Sequence, residues 1–597
     1  MLISFFNKKR FIIFSILLII TLINNSGATA FSLVINNSNS SSSSNTNSNS
    51  SSSSSDIPTP TPTPIINTTI CEAYINLTTP NTSLLCGTES NPCMNILDAL
   101  SYCNQTTLAP LTIRLYFGNG IYSATNNTGI KVFNQSVSIQ PLSTSIPSLV
   151  TFNFSNSNQP FIELIEPPTT TTPTTISSGN TTTPSVVSTT ITTTNITLNN
   201  INVVGLQTLL NGSLINFESQ HSSGNIVIMN STFVNCTGAY GGLVYIQSQY
   251  QPQMVSLQVY TSNFTNTSAD IGGVFYTAGQ VQTSVNGSQF LGNNATYGTI
   301  IYSQLGQTKF ANSLFQQNLA VELGLIFLSQ QASQSYQQFQ NLTFQNNEGT
   351  TNKTSNIYLC DSSISLQNSI FQRNSLTALW SQNPLAQNPT PTLIEYCMFL
   401  NNNITSGSAS CLRSDVNAQI QVMKSQFINN TAFNAGAVLI NNSMSFSCAS
   451  SVFSNNAAEN NGGVFYTNNT ASIEFTSLVF TANTAVNSGS SIYCVNSTIN
   501  FLNNSTFANN ADRFDSDGFG IGCGSGEVCK FKGSLSSQDS YCSSYFPNKT
   551  KTLTKGQEAG IIIGVIGAVI IICIGVILLI KKFSRFKLSR RGYKLIN

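Results

Sequence analysis

The sequence predicts an all-β protein built as a parallel β-helix, a solenoid of stacked coils. A short phrase recurs from residue 232 to residue 510: a hydroxyl residue or Asn, then Phe, two further residues and Asn. Eleven phenylalanines, from Phe233 to Phe507, repeat about every 27 residues, which is a period typical of solenoids. No segment shows a sustained 3.6-residue apolar stripe, so a helical or leucine-rich repeat fits badly.

Each repeat contains two extended pieces. One ends at the Phe, as in residues 255–264, and its residues alternate between two faces. The other follows a small-residue hook such as Gly272-Gly273, because glycine permits a positive φ and a tight corner. The Asn that ends each phrase can form a hydrogen-bonded ladder along the stack. Asn235 and Asn266 come one residue early, so we expect the first two coils to turn differently.

The Phe-x-x-Asn and Gly-Gly-aliphatic phrases resemble the repeats of chlamydial polymorphic outer-membrane proteins. They also resemble those of type I membrane glycoproteins of social amoebae that carry pectin-lyase-like β-helices. The resemblance covers about half of the chain strictly, and residues 69–542 loosely. It implies that the β-helix is right-handed, and, by analogy with the chlamydial proteins, a role in adhesion or surface display.

The N-terminal 68 residues are predicted to lie outside the solenoid. Lys8, Lys9 and Arg10 precede an apolar run, and a small-x-small phrase ends at Ala30, so residues 1–30 are typical of a secretory signal peptide. An uncleaved signal anchor is the alternative. Residues 31–68 are rich in Ser, Asn and Pro and predict a flexible spacer.

Residues 69–110 are predicted to form a Cys-containing cap with a short helix. Asn91 would cap this helix and Pro92 would begin it. Ile96, Leu97 and Leu100 would then share one face that covers the open end of the solenoid. Secretion favours disulfides over a zinc site, and three pairings remain open. The cysteines are Cys71, Cys86, Cys93 and Cys103.

The solenoid is predicted over residues 111–511, with a Thr/Pro-rich insertion at 167–194. Residues 512–558 would form a C-terminal cap and juxtamembrane stalk, in which Cys523, Cys529 and Cys542 are disulfide candidates. The clustered Asp512, Asp515 and Asp517 do not match an EF-hand spacing, so a solvated turn is favoured over a calcium site.

Residues 559–580 are uncharged and long enough to span a bilayer. The basic tail 581–597 predicts a cytoplasmic C-terminus, and hence a single-pass type I protein. The tail carries Tyr593 and Ile596 in a Tyr-x-x-apolar phrase of the kind that clathrin adaptors bind. It is similar to the tails of lysosome-associated membrane glycoproteins. We therefore predict the plasma membrane, the endolysosomal membrane or both as location.

Charge and glycosylation signals describe the surface. The ectodomain has 13 of the 23 basic residues against 21 acids, a net charge of about −8 that argues against nucleic-acid partners. About thirty Asn-x-Ser/Thr sequons predict a glycoprotein, although an Asn-rich chain also produces sequons by chance. The main candidates are Asn76, Asn104, Asn195, Asn230, Asn263, Asn341, Asn403, Asn468 and Asn504.

The chain shows no local motif for catalysis. Asp270, Asp361 and Asp415 are isolated in the repeats, and His221 has no partner phrase for a triad. Thirteen cysteines precede the predicted span, so at least one is expected to be free or to bridge two chains. No catalytic, cofactor or metal site is predicted.

The sequence thus favours a non-enzymatic membrane glycoprotein for adhesion or recognition, with carbohydrate or a cell-surface protein as ligand and a clathrin adaptor as partner of the tail. A polysaccharide-degrading ectoenzyme and a protective endolysosomal coat glycoprotein are the alternatives.

Overall fold

The predicted solenoid is confirmed by a computed structural model, in which all described residues belong to one compact unit, Asn67–Asn597. It is an all-β parallel solenoid of the right-handed type. The named strands of the described residues pair in parallel, each with its equivalent one coil away. The structure describes residues 70–77, 86–106, 112–142, 150–155, 157–165, 192–219, 222–248, 254–330, 337–385, 389–404, 407–512, 520–524 and 529–533.

Three long sheets form the walls, and each coil passes through sheet 1, then sheet 2, then sheet 3. Sheet 1 consists of Ile70–Ile75, Thr112–Phe117, Ser136–Pro141, Thr192–Asn199, Ser222–Met229, Val255–Tyr260, Val281–Asn286, Gln307–Ala311, Gln337–Gln340, Ile364–Gln367, Thr392–Glu395, Gln419–Met423, Ser445–Ala449, Ile473–Thr476, Thr498–Phe501 and Lys530–Gly533.

Sheet 2 carries the repeated Phe at the centre of most of its strands. It consists of Gly120–Ser123, Val150–Asn153, Asn202–Val204, Thr232–Val234, Asn263–Thr265, Gln289–Leu291, Leu314–Gln316, Thr343–Gln345, Ile370–Gln372, Met398–Leu400, Gln426–Ile428, Val452–Ser454, Val479–Thr481 and Thr506–Ala508.

Sheet 3 follows the glycine hooks. It consists of Ile130–Val132, Ile162–Leu164, Ile215–Ser219, Val244–Ser248, Phe275–Gly279, Ile301–Gln304, Gly324–Ser329, Ser355–Cys360, Thr377–Gln382, Leu412–Asp415, Val438–Asn441, Phe465–Asn468, Ile492–Val495 and Ile521–Cys523.

Two short sheets lie between sheets 2 and 3. One consists of Ser268–Ile271, Asn294–Tyr297, Leu319–Ala320 and Glu348–Gly349, and the other of Asn403–Ile404, Thr431–Ala432, Ala457–Ala458 and Thr484–Ala485.

The repeated phenylalanines stack in one column inside the solenoid. Neighbouring rings, from Phe233 to Phe507, have centroids 4.4–5.4 Å apart and planes within 2–15° of parallel. All but Phe507 are fully buried. Burial of apolar rings is the main driving force for stacking the coils, because one coil alone cannot bury them.

The predicted asparagine ladder runs beside this column. Asn374 is typical: its Nδ2 donates to Phe344 O and to Asn402 Oδ1, both at 3.0 Å. Its backbone N–H donates to the same Asn402 Oδ1, at 3.1 Å. Buried backbone groups at the corner are thereby satisfied from coil to coil. The ladder consists of Asn293, Asn318, Asn347, Asn374, Asn402, Asn430, Asn456, Asn483 and Asn510, which are at most 2% exposed.

The expectation that the first two coils turn differently is wrong. Asn235 and Asn266 have φ values of 54° and 53°, in the left-handed region that Gln317 and Asn346 occupy at the same place in later coils. Thr267 follows Asn266 and takes the ladder position, where its Oγ1 donates to Asn293 Oδ1 at 2.7 Å. The corner is therefore the same, and only its internal side chain differs.

The two glycines of each hook have different tasks. Gly272 has a φ of 67°, which an L side chain rarely adopts. Gly273 is needed for close approach, because a Cβ on it would lie 2.3 Å from Thr299 O in the next coil. Ala435 stands at the first position of one hook with a φ of 51°, at an expected cost of about 1–2 kcal/mol.

The first described coil begins earlier than predicted. Ile70–Ile75 belongs to sheet 1, so the sheets extend beyond residues 111–511 toward the N-terminus. A helix, Ile96–Thr106, contacts this strand. That it caps the solenoid stays a prediction.

The predicted cap and face of this helix are wrong. Asn95, and not Asn91, is the N-cap, since its Oδ1 accepts the backbone N–H of Asp98 at 2.9 Å. Ile96, Ala99 and Cys103 are fully buried, whereas Leu97 is 41% exposed. The two disulfides are Cys71–Cys103 and Cys86–Cys93.

At the other end, Ile521–Cys523 and Lys530–Gly533 continue sheets 3 and 1 beyond residue 511. Cys529 pairs with Cys494 in the preceding coil, a partner that the sequence analysis placed among the repeats. Cys523 is disulfide-bonded as predicted. Asp512 Oδ2 accepts the backbone N–H of Gly489 at 2.7 Å, so this carboxylate stabilises a turn.

Several predictions concern residues outside the described part. These are the signal peptide, the spacer, residues 167–191 of the insertion, His221, Asp515, Asp517, Cys542, residues 534–558, the span 559–580 and the tail with Tyr593 and Ile596. Residues 192–194, assigned to the insertion, belong to a strand of sheet 1. The described helix is too short to cross a bilayer, and the described residues contain no other candidate span.

Candidate functional site

The outer face of sheet 3 carries a column of stacked aromatic rings. Each ring pairs in register with the next, one coil further on, and neighbouring centroids are 4.7–5.5 Å apart. We call this the ring column; it consists of Tyr245, Tyr276, Tyr302, Phe327, Tyr358 and Trp380. The sequence analysis missed it, because the rings are 22–31 residues apart and the Gly-Gly-x-x-Tyr phrase was interpreted only as a hook.

The ring column supports this face more than it offers ring faces to a ligand. The planes from Tyr245 to Tyr358 lie within 4–16° of one another, so each ring covers the next. Phe327, Tyr358 and Trp380 are only 5–7% exposed. Burial accordingly raises the pKa of Tyr358 to about 12. A ligand on this face therefore contacts ring edges and the side chains beside the rings.

A second column lies two residues further along the same strands. We call it the polar column; it consists of Gln247, Gln304, Cys360, Gln382, Asp415, Asn441 and Asn468. Its last members are joined by hydrogen bonds from Asn468 Nδ2 to Asn441 Oδ1, at 2.9 Å, and from Asn441 Nδ2 to Asp415 Oδ1, at 3.3 Å. Ala278 and Ser329 occupy the same register in two coils.

Arg413 links the two columns. Its guanidinium carbon lies 3.7 Å from the centroid of the Trp380 ring, and its Nε donates to Asp415 Oδ2 at 2.6 Å. A stacked arginine of this kind is held rigid by cation–π attraction and by the carboxylate. Asp415 is 4% exposed, so its charge is neutralised inside the protein by this pair.

The three carboxylates considered in the sequence analysis do not form a catalytic pair. Asp270 lies in a short sheet, away from the other two. Asp361 and Asp415 border the same face two coils apart, or roughly 10 Å along the axis. Retaining and inverting glycosidases use about 5–9.5 Å. Asp361 Oδ1 also accepts the backbone N–H of Leu385 at 2.9 Å, so this carboxylate has a structural role.

The connections between sheets identify one variable side. From Asn199–Asn202 to Thr476–Val479, the corner between sheets 1 and 2 is two residues in every coil. The corner from sheet 3 to sheet 1, directly after the polar column, varies from one residue, Gln280, to 27 residues between Leu164 and Thr192. In solenoids, insertions that map to one side often mark the binding side.

The predicted glycosylation sites avoid the central part of this face. All nine candidates are exposed or half-buried. The sheet 3 strands from Val244–Ser248 to Leu412–Asp415, and the connections that follow them into sheet 1, contain no sequon. Asn211 and Asn352 lie in connections that lead into sheet 3, and among the nine only Asn468 lies within it.

The cysteines of the described repeats do not form a metal site. The described residues contain no group of three or more metal-ligating side chains. Five thiols are free, rather than the minimum of one that the odd count required. Burial raises the pKa of Cys236, Cys397 and Cys448 to about 12, so these thiols are inert at neutral pH. Cys360, on the polar column, is half-buried.

A cavity of about 360 Å³ opens on the same face near its N-terminal end. Its lining includes Gln247, Ala278 and Gln304 of one register position, together with Gln280 and Leu305 from the corners. Its size is at the lower end of the range for small-molecule sites.

No model of a protein family matches the chain, and no curated protein matches it either. The chain is similar to tailspike protein 3 of bacteriophage CBA120, with 10% identity and a TM-score of 0.27, over 78% of this chain and 60% of that one. It is similar to the GH136 lacto-N-biosidase of Eubacterium ramulus, with 10% identity and a TM-score of 0.26, over 66% and 64%. A rhamnogalacturonan lyase aligns with 12% identity and a TM-score of 0.18, over 77% and 89%.

These similarities are too low to carry an argument about activity. The chain spans less than two thirds of the tailspike and of the biosidase. The fold therefore rests on the strand pairing described above, and the resemblance to chlamydial and social-amoeba proteins stays a prediction.

Proposed function

We propose that the protein is a single-pass type I membrane glycoprotein that recognises carbohydrate through the outer face of sheet 3 and does not cleave it. The observation that carries this proposal is the absence of sequons from the face between Tyr245 and Asp415, on a chain with about thirty sequons. N-linked glycans on the other surfaces would shield them, and this face would stay accessible.

The chemistry of the face supports a hydroxyl-rich ligand. Amide side chains both donate and accept hydrogen bonds, and Gln247, Gln304 and Gln382 present them at one register position. The stacked rings beneath fix the position of the strands and side chains. A rigid surface loses less conformational entropy on binding, and this favours affinity for a flexible saccharide.

The arrangement of the carboxylates supports binding without hydrolysis. Asp415 is neutralised by Arg413, and Asp361 accepts a backbone hydrogen bond. Neither is placed to act as a general acid opposite a second carboxylate at glycosidase spacing.

A glycan introduced on this face tests the proposal. Cys360→Asn creates the sequon Asn-Asp361-Ser362 in the middle of the polar column. The matched control is Cys360→Gln, which repeats the glutamine that Gln382 places at this register in the next coil. Full-length protein displayed on cells would be titrated with a panel of fluorescent oligosaccharides, and glycan occupancy checked by enzymatic deglycosylation.

We expect the Cys360→Asn variant to lose at least tenfold in binding of any oligosaccharide that the wild type and the Cys360→Gln variant retain. Equal binding by an occupied Cys360→Asn variant would refute the assignment of the face. Mass spectrometry of the bound oligosaccharide tests the non-enzymatic part, since release of shorter products would favour the polysaccharide-degrading alternative.

The location forms a separate part of the proposal. Tyr593 and Ile596 would bind a clathrin adaptor, and the protein would cycle through endosomes. A tagged full-length chain is expected in endosomes or lysosomes, and its Tyr593→Ala variant at the surface. Residence of the wild type in lysosomes without oligosaccharide binding would instead favour a protective coat glycoprotein.

A further inference from the structure

We infer that the cavity at Ala278 is the binding pocket for a short, neutral saccharide unit. The inference rests on the proposed function, since it assigns a place and a chemical class to the ligand on sheet 3. It is independent of the Trp380–Arg413 region, which lies four coils away from Tyr276, or roughly 19 Å along the axis.

The cavity exists because one coil has small residues where its neighbours have large ones. Ala278 pairs in register with Gln247 on one side and Gln304 on the other. Gly279 follows with a φ of 88°, and a Cβ there would lie 1.6 Å from Ser248 O. Glycine is therefore required at this position, and the missing side chains leave a gap between the two glutamines.

The corner after this coil is also the shortest on the variable side. Gln280 alone separates Gly279 from Val281, whereas six residues separate Ser248 from Val255 in the preceding coil. The short corner keeps the backbone close to the solenoid axis, and its neighbours extend further out. The gap is thereby enclosed on two sides and open to solvent on the third.

The lining has the chemistry of a neutral polyol site. Gln247, Gln280 and Gln304 supply amides, Ser248 supplies a hydroxyl, and Ala278 and Leu305 supply apolar surface for the C–H face of a sugar ring. No lining residue is charged. A uronic acid, sulfate or phosphate would find no cation here to offset the loss of its hydration.

One wall of the pocket is oriented in advance. Tyr245 of the ring column donates its hydroxyl hydrogen to Gln247 Oε1. This hydrogen bond leaves Gln247 Nε2 to donate to a ligand oxygen. The side chains of Gln280 and Gln304 make no hydrogen bond within the described part of the chain, so they too are available.

The test fills the gap with a side chain that the fold already accepts at this register. Ala278→Gln continues the glutamine column from Gln247 to Gln304, and Ala278→Ser is the matched control that leaves the cavity open. Full-length protein in detergent micelles would be titrated with fluorescein-labelled cellobiose, maltose, lactose and di-N-acetylchitobiose. A glucuronic-acid-containing disaccharide is the charged comparison. Thermal unfolding of each variant checks the fold.

We expect wild type and Ala278→Ser to bind at least one neutral disaccharide equally within twofold, Ala278→Gln to bind it at least tenfold more weakly, and the charged disaccharide to bind weakly to all three. Binding by Ala278→Gln at the wild-type level overturns the inference, as does preference for the charged disaccharide or no binding of any probe. If Ala278→Gln unfolds, Gln304→Ala replaces it, with the same tenfold loss expected and wild-type binding overturning the inference.

The two experiments separate the pocket from the face. If Cys360→Asn blocks oligosaccharide binding and Ala278→Gln does not, the proposed function stands and the pocket assignment fails. If neither variant changes binding, both fail.

Discussion

Removal of one amide from the asparagine ladder should destabilise the solenoid locally and strongly. Asn374→Ala removes the donations of Asn374 Nδ2 to Phe344 O and to Asn402 Oδ1. It also removes the acceptor of the Asn347 backbone N–H, which lies 3.0 Å from Asn374 Oδ1. The Asn347 N–H is then buried without a partner.

The expected magnitude follows from these contacts. An unsatisfied buried donor costs about 1–3 kcal/mol and each lost hydrogen bond contributes about 1 kcal/mol, so the loss is about 3–5 kcal/mol. In a solenoid each coil contacts only its neighbours, so the effect should stay within the adjacent coils. Amide exchange there should accelerate roughly 10²- to 10³-fold.

Hydrogen exchange of the full-length protein, followed by mass spectrometry, measures this directly in peptides that contain Phe344 and Phe371. Gln316→Ala is the control, because this half-buried outer side chain has no hydrogen bond among the described residues. The reasoning is refuted if Asn374→Ala exchanges like the control, or if exchange accelerates equally in the distant strand Asn202–Val204.

Three further predictions concern the backbone, a disulfide and the thiols. Gly273→Ala should cost about 2–4 kcal/mol in urea unfolding because its Cβ would meet Thr299 O, whereas Ala435→Gly should gain about 1 kcal/mol at its positive φ; equal midpoints for both variants would contradict this. Cys529→Ser opens a link across 35 residues, and a loss of about 4 kcal/mol should expose the last coil to limited proteolysis, while Cys448→Ser leaves cleavage unchanged. Burial raises the pKa of Cys397 to about 12, so iodoacetamide at pH 8 should label Cys360 before Cys397 in the native protein and both after unfolding; native labelling of Cys397 at the same rate would contradict its burial.

The repeat could be interpreted from sequence because its signals are local and regular. The Phe and the Asn three residues later stand on either side of one corner, and the phrase recurs with nearly the same spacing. The two early coils show the limit of this reasoning. Asn235 and Asn266 keep the left-handed corner, and the ladder position itself accepts Thr267, a feature that only pairing with the next coil reveals.

The helix near the N-terminus shows a second limit. Asn91-Pro92 has the pattern of an N-cap followed by a first helical residue, yet Asn95 provides the cap. Thr88 and Asn91 instead form a bridge, and Asn91 N donates to Thr88 O at 3.1 Å. Two neighbouring asparagines satisfy the same local rule, and the packing of Ile96 and Cys103 on the first coil chooses between them.

The amino-acid sequence by itself determined the solenoid, its period, the phenylalanine column and the asparagine ladder, because each depends on residues close together in the chain that repeat at one spacing. Only the tertiary structure decided the disulfide partners and the functional face. Tyr245, Trp380 and Arg413 come from separate coils, joined by connections of different lengths, and they share one surface only once register sets each coil on the next. The cavity at Ala278 has the same origin, since a gap exists only relative to the glutamines of the two neighbouring coils.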